Sequence, residues 1–277
     1  MGESRILPPA LKAKLFRIAT RSMWRCCEVM DVPKSHPRYE SLLARHRLAK
    51  GVDDGLVVLQ GLIAQGRGEA FDYLLGERTI PPARRAEMAA AAHLVLANRP
   101  VISVNGNVAA LAAEDVVRLA RAVPAKIEVN LFYRTEARVR KVAERLKKTG
   151  ARDVLGIRPD SRIPGLDSKR ALCSRDGVFS ADVVLVPLED GDRTQALAKM
   201  GKTVLAIDLN PMSRTSVAAT VAIVDELTRA LSGVEGHVRS LKKNRDEAVR
   251  CARTYDRDSN LEEVYAYLAA RLARLRP

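Results

Sequence analysis

Aromatic residues make up only 4% of this 277-residue chain, and that scarcity has consequences. Single-stranded nucleic acid is held largely by bases stacked on aromatic side chains, and this chain has little from which to build such a platform. There is no G-x-x-x-x-G-K-[ST] segment, and no G-x-G-x-x-G follows an apolar strand. A nucleotide bound here needs a different cradle. The cysteines are Cys26, Cys27, Cys173 and Cys251, none in a C-x-x-C and none with a histidine at ligand spacing. That pattern argues against a zinc site or a disulfide framework, so reduced thiols and no resident metal are expected. No segment approaches the roughly 20 apolar residues a membrane-spanning helix requires. The basic, partly amphipathic start lacks the unbroken apolar stretch and cleavage site of a signal peptide, so a cytoplasmic location is expected. Internal repeats, low-complexity tracts and basic tails are also missing.

What is present is aliphatic and positively charged. Hydrophobic residues account for 47% and charged residues for 29%, ordinary values for a globular protein. Leu, Val, Ile and Ala must therefore fill the core. The formal net charge of +14 admits nucleic acid, anionic membranes or small polyanionic substrates as partners. The excess is dispersed among glutamates on helix surfaces, and no nucleic-acid module is recognisable. Neither nucleic acid nor membrane is expected as a partner, which leaves small polyanions.

From Pro100 onward, short apolar runs alternate with helical patterns. Strands are predicted at 101–104, 126–129, 153–157, 183–187, 203–207 and 221–224. Helices are predicted at 114–122, 136–148, 193–200 and 213–218, with an irregular connection over 158–180. Strands apolar at nearly every position are covered on both faces, so the expected fold is α/β with a Rossmann-like, mostly parallel sheet. A helical N-terminal segment and C-terminal helices flank it. The N-terminal segment is predicted as one helix over 40–64, interrupted by Gln65-Gly66-Arg67-Gly68-Glu69. A further helix opens at Pro81-Pro82 and ends near Asn98. The tail from Asp225 is read as helical with breaks near Gly233–Gly236 and 256–260. Its last amphipathic helix (Leu261, Val264, Leu268, Leu272, Leu275) suits either an oligomer contact or packing on its own domain. The expected organisation is an extension over 1–31, a helical region over 32–98 contributing to the site, a nucleotide-binding core over 99–230, and helices over 231–277.

Open parallel sheets bind ligands beyond the carboxyl ends of their strands, and the polar residues here collect at those ends. Asn105 and Asn107 follow one strand, and Asn130 with Arg134 follow the next. Glu189, Asp190 and Asp192 crowd another strand end beside Arg193. They suit Mg²⁺ on a nucleotide, an ammonium group, or the cap of an acidic helix start, with Asp192 as the cap. Asp208 and Asn210 end the next strand ahead of Arg214-Thr215, where an aspartate suits ribose hydroxyls. Arg67 between two glycines suits a phosphate or a solvated turn. The histidines His36, His46, His93 and His237 form neither a triad nor a metal pattern.

Seven collinear stretches carry a family resemblance: PKSHPRYESL (33–42), GLIAQGRGEAFDYLLGE (61–77), PVISVNGNVAAL (100–111), EVNLFYRTE (128–136), RIPGL (162–166), ADVVLVPLEDGDRT (181–194) and AIDLNPMSRT (206–215). Together they resemble the archaeal phosphopantothenate synthetases, the 4-phosphopantoate–β-alanine ligases of coenzyme A biosynthesis. The likeness runs from about Val32 to Ala230 and leaves out residues 1–31. Gln65 stands where the family pattern leads one to expect a histidine. The resemblance implies an ATP- and Mg²⁺-dependent, AMP-forming condensation of 4-phosphopantoate with β-alanine through an acyl-adenylate, in a homodimer. It implies ATP contacts at Arg45, Arg67, Asp208, Leu209, Asn210, Arg214, Thr215, Glu226 and Leu227. With the reaction in view, Arg134, Asn130, Glu189 and Asp190 become candidates for the chemistry. Arg38, Asn105, Asn107, Asp192 and Arg193 become candidates for holding the acids. A Rossmann-like nucleotide-binding regulator without catalysis is the alternative, and a nucleic-acid binder rests on charge alone.

Overall fold

A computed structural model describes residues 32–274. The expectations for 1–31, including Cys26 and Cys27, lie outside the described residues.

The chain opens with helices α1 (Tyr39–Asp53), α2 (Leu59–Leu75) and α3 (Pro81–Leu96). The alternating core follows: β1 (Pro100–Val104), α4 (Gly106–Ala122), β2 (Lys126–Val129), α5 (Glu136–Lys148) and β3 (Val154–Leu155). A small antiparallel pair, β4 (Ser161–Arg162) and β5 (Leu172–Cys173), interrupts it. The core resumes with β6 (Val183–Pro187), α6 (Gly191–Lys199), β7 (Thr203–Ile207), α7 (Arg214–Ala218) and β8 (Val221–Ile223). Helices α8 (Leu227–Leu241), α9 (Arg245–Thr254) and α10 (Arg257–Arg274) complete the described chain.

The main sheet has the order β3-β2-β1-β6-β7-β8, and every pairing in it is parallel. With the small pair set aside, this is the 3-2-1-4-5-6 order of doubly wound nucleotide-binding domains. The strand side chains explain why two faces had to be covered. Ile102, Leu185, Leu205 and Ile207 pack into one cluster with α3, α4, α5 and α8. Their immediate neighbours Val101, Val184, Val186, Val204 and Ala206 pack into a second cluster with Leu197 of α6 and Val178. Alternation along each strand therefore feeds two cores, with Ser103 of β1 and Glu128 of β2 the buried polar residues among them.

Four predicted features differ. The 40–64 helix is two helices, divided at Asp54-Gly55, where Gly55 takes φ +73°. Gln65–Glu69 is not a break but the middle of α2. A glycine inside a helix costs about 1 kcal/mol, yet α2 continues through both: nothing lies within 4 Å of a Cβ at Gly66, and one at Gly68 would meet only Leu209, at 3.7 Å. The helix predicted from Glu114 begins at Gly106, because the Asn105 side chain accepts from Val108 N and caps it. In the tail, Gly233 and Gly236 lie within an unbroken α8. Gly233 is where α8 closes on α3, since a Cβ there would come 2.2 Å from Glu87 Oε2. Early turns of α10 pack on the domain itself, with Leu261 and Val264 buried and Leu272 exposed.

Candidate functional site

The strand order reverses between β1 and β6, so the loops after these two strands diverge and leave a crevice. Asn105 spans it. Its Nδ2 donates to Leu188 O at 2.9 Å and Pro187 O at 3.3 Å while its Oδ1 caps α4. Leu188 turns the chain here at φ +52°, a left-handed conformation uncommon for leucine. The cleft that opens above has a volume of about 580 Å³, within the usual range for small-molecule sites. The β1, β2, β6 and β7 loops wall it, and α2 lies across it.

Below the cleft is a buried ionic knot. Arg170, 5% exposed, donates Nη1 to the backbone and side-chain oxygens of Asn130 at 2.9 and 3.1 Å. Its Nη2 meets Glu189 Oε1 at 2.7 Å and its Nε meets Asp190 Oδ2 at 2.8 Å. Arg193, fully buried, reaches the other oxygen of Glu189 and Ser103 Oγ. One carboxylate therefore faces two guanidiniums. Burial alone would push the Glu189 carboxyl up, but Arg170 and Arg193 outweigh it and hold Glu189 below the usual carboxylate range. The knot ties the ends of β2, β1 and β6 together, which fixes the cleft floor. Asp190 keeps its other oxygen available and remains substantially exposed.

The far lip is built by the β7 loop. Asp208 accepts from Asn210 N and from Ser213 Oγ, and Asn210 Oδ1 accepts from Met212 N. Burial raises the Asp208 carboxyl, and those two hydrogen bonds offset only part of it. Thr215 Oγ1 donates to Glu189 O at 2.9 Å, joining this lip to the β6 loop. Arg214 lines the cleft and pairs with the exposed Asp192 outside it. Gly191 permits that approach, since a Cβ there would lie 2.4 Å from Arg214 Cβ.

The candidate residues separate accordingly. Arg67, Asn105, Asn107, Glu189, Asp190, Asp208, Leu209, Asn210, Arg214 and Thr215 all line one cleft. Asn130 and Arg193 lie beneath it, their polar groups turned to Arg170 and to Glu189. Arg134 donates to Gly156 O at 2.6 Å, behind the cleft wall. Arg45 and Arg38 meet on Tyr73 between α1 and α2, where Arg45 also pairs with Glu69 at 2.9 Å. Glu226 caps α8 through Thr228 N and Arg229 N, with Leu227 buried beside it. Asp190, not Asp192, occupies the cap position of α6, and its side chain makes no capping bond. Among the described residues, no three His, Cys, Asp or Glu side chains are grouped so as to hold a metal.

Sequence reasoning missed two cleft arginines, Arg138 and Arg170. Arg170 lies in the connection read as irregular, where no periodicity marks a buried position. Arg138 falls one turn into α5 among other arginines, and spacing does not single it out.

Sheet order and switch-point cleft define a doubly wound α/β protein with a cleft of small-molecule size. The particular family follows from comparison. The model of the phosphopantothenate/pantothenate synthetase family matches residues 82–271, and the chain belongs to that family. It is 55% identical over 243 residues to a 4-phosphopantoate–β-alanine ligase of Methanosarcina mazei, covering 87% of this chain and 96% of the relative. Against the ligase of the same name from Thermococcus kodakarensis, identity is 51% over 249 residues, covering 89% and 95%. For that of Methanospirillum hungatei the values are 52% over 241 residues, 87% and 98%.

Proposed function

We propose that the protein condenses 4-phosphopantoate with β-alanine, using ATP, to give 4′-phosphopantothenate, AMP and diphosphate in coenzyme A biosynthesis. The observation that carries this is the convergence of strand-end loops and arginines on one switch-point cleft, in a chain whose relatives bear that activity in their names. A non-catalytic nucleotide-binding role is not favoured by those relatives.

A carboxylate is a poor electrophile, so its oxygen first attacks the α-phosphorus of ATP and diphosphate leaves. The amine of β-alanine then attacks the acyl carbon, AMP leaves, and the amine gives up its proton. Several negative charges meet in the first step, and their repulsion must be offset before in-line attack. Arg67 and Arg214 serve the triphosphate, and Asp208 with the Leu209-Asn210 backbone serves the nucleoside. Thr215 keeps that loop against the acid loop. Arg45 and the Glu226-Leu227 segment are carried as ATP contacts on the family likeness, and Arg38 likewise for the acid. Asn105 and Asn107 offer neutral amides to the acid without adding charge.

The two neighbouring carboxylates do different work. Glu189 is consumed by Arg170 and Arg193 and anchors the floor. Asp190 faces the cleft and orients the β-alanine ammonium. Arg193, Asn130 and Arg134 act through the residues they position, and Asp192 through Arg214. Mg²⁺ bound on phosphates needs only one or two protein carboxylates, and Asp190 would be the one to hold it in a step in which it does not hold the ammonium. When bound, the ion neutralises phosphate charge.

We assign the helical region 32–98 to one wall of the site and 99–230 to the nucleotide-binding core. A cytoplasmic homodimer completes the proposal; no described helix is long and apolar enough to cross a membrane. Purified protein incubated with ATP, Mg²⁺ and both acids should release AMP and diphosphate only when both acids are present. Nucleotide binding without turnover would overturn the reading. Sedimentation showing a monomer at micromolar concentration would remove the dimer.

A further inference from the structure

The ligase reading leaves the 4-phosphate without a partner, and this inference rests on that reading. Helix α2 spans the cleft lengthwise. Gly68 lies against Leu209 of the β7 loop, which places Arg67 on the nucleotide side. Gly61 lies against Asn107, whose Nδ2 donates to Gly61 O at 2.9 Å, so that end of α2 meets the start of α4. Seven helical residues separate the two contacts, roughly 10 Å along the axis. A four-carbon acid bearing a phosphate, with its carboxylate toward ATP, sends that phosphate to the α4 end.

One cation waits there. Arg138 Nε donates to Leu56 O and Nη1 to Tyr133 O, both at 2.9 Å. Two backbone carbonyls therefore hold the guanidinium plane rigid. Its Nη2 abuts Gly106, where a Cβ would lie 2.6 Å away, and has no hydrogen-bond acceptor among the described residues. No described carboxylate pairs with Arg138. Burial and then the like charge of Arg170 both depress its basicity. The other cleft arginines differ: Arg67 is exposed and already assigned to the triphosphate, Arg170 is fully engaged with Asn130, Glu189 and Asp190, and Arg214 has Asp192.

We infer that Arg138 is the residue that recognises the 4-phosphate and so selects the phosphorylated acid over pantoate. A half-buried guanidinium with no counter-ion and a like-charged neighbour gains most from a dianion. Its planar, pre-oriented fork suits phosphate oxygens, and charge-assisted bonds are the strong ones.

The test is ATP–diphosphate exchange supported by 4-phosphopantoate or by pantoate, in wild type, Arg138→Gln and Arg138→Lys. Losing a partner of this kind raises the 4-phosphopantoate KM about 100-fold in Arg138→Gln. The KM for ATP stays within about threefold of wild type. The preference for 4-phosphopantoate over pantoate falls by the same factor as the acid KM rises, and lysine restores part of it. Inorganic phosphate, a competitor of 4-phosphopantoate in wild type, loses that effect in Arg138→Gln. An unchanged preference ratio in the folded variants overturns the inference. If Arg138→Gln does not fold, the ratio in Arg138→Lys decides, because general loosening does not separate the two acids. Wild-type protein that exchanges with neither acid overturns the ligase reading and this inference with it, whereas wild-type exchange with an unmoved ratio removes Arg138 alone.

Discussion

Glu87 offers a pH test of how α3 and α8 pack. It sits on α3 at 3% exposure, with Oε1 lacking any hydrogen-bond partner among the described residues and Oε2 pressed towards Gly233 of α8. Burial and then Asp225 raise its carboxyl, Arg84 and Arg229 lower it, and the balance pushes it up from 4.5 to about 8. The folded state therefore holds a proton that the unfolded chain releases. That contribution is complete below pH 4.5 and is lost as pH rises towards 8, at about 1.4 kcal/mol per pH unit. Glu87→Gln keeps the shape and cannot ionise. Relative to wild type, its unfolding free energy should improve by about 3 kcal/mol between pH 5 and pH 8. Urea unfolding of both proteins at the two pH values measures this through the midpoints at constant slope. Two curves with a constant offset across that range would refute the reasoning.

Three further outcomes follow from the site. Arg170→Ala leaves buried Glu189 with Arg193 alone and Asn130 without the guanidinium it accepts from, and should cost about 3 kcal/mol, read by urea unfolding, together with most of the ligase rate. Gly106→Ala puts a Cβ 2.1 Å from Leu56 O, a backbone collision with nowhere to go. It should destabilise by about 1–3 kcal/mol in a thermal melt, and the ligase rate should fall with it. Arg67 is exposed on α2. Arg67→Ala should leave stability within about 0.5 kcal/mol while raising the ATP KM at least tenfold, on the order of a lost charge-assisted phosphate contact. An unchanged KM would take Arg67 out of the nucleotide site.

The strands were legible because their physics is local. A strand covered on both faces carries apolar residues at successive positions, and Val183–Val186 or Val204–Ile207 admit little else. Polar residues then appear where the strands stop, so Asn105, Glu189 and Asp208 were visible as strand-end residues before their neighbours were known. Glycine misled twice. At Gly233 it marks close approach by α3, which local propensity does not contain, while Gly66 and Gly68 meet no such approach and α2 simply runs through them. Arg170 and Arg138 were invisible because their significance is entirely tertiary. One is buried by a connection with no period, the other is fixed by carbonyls from Leu56 and Tyr133, and nothing in the spacing distinguishes either from a solvated arginine. Asn130 and Arg193 were visible as strand-end residues, yet their turn towards the floor depends on that same missing Arg170 and on Glu189.

The Thr215 hydroxyl on the Glu189 carbonyl makes the two lips a single mechanical piece. A ligand that stills one lip removes part of the freedom the other would lose on binding, so the second ligand meets a smaller ordering cost. Linkage is reciprocal, so whatever factor one substrate adds to the other's affinity through this bond is returned in equal measure. Thr215→Val would uncouple them, leaving two sites that each bind yet no longer wait for one another.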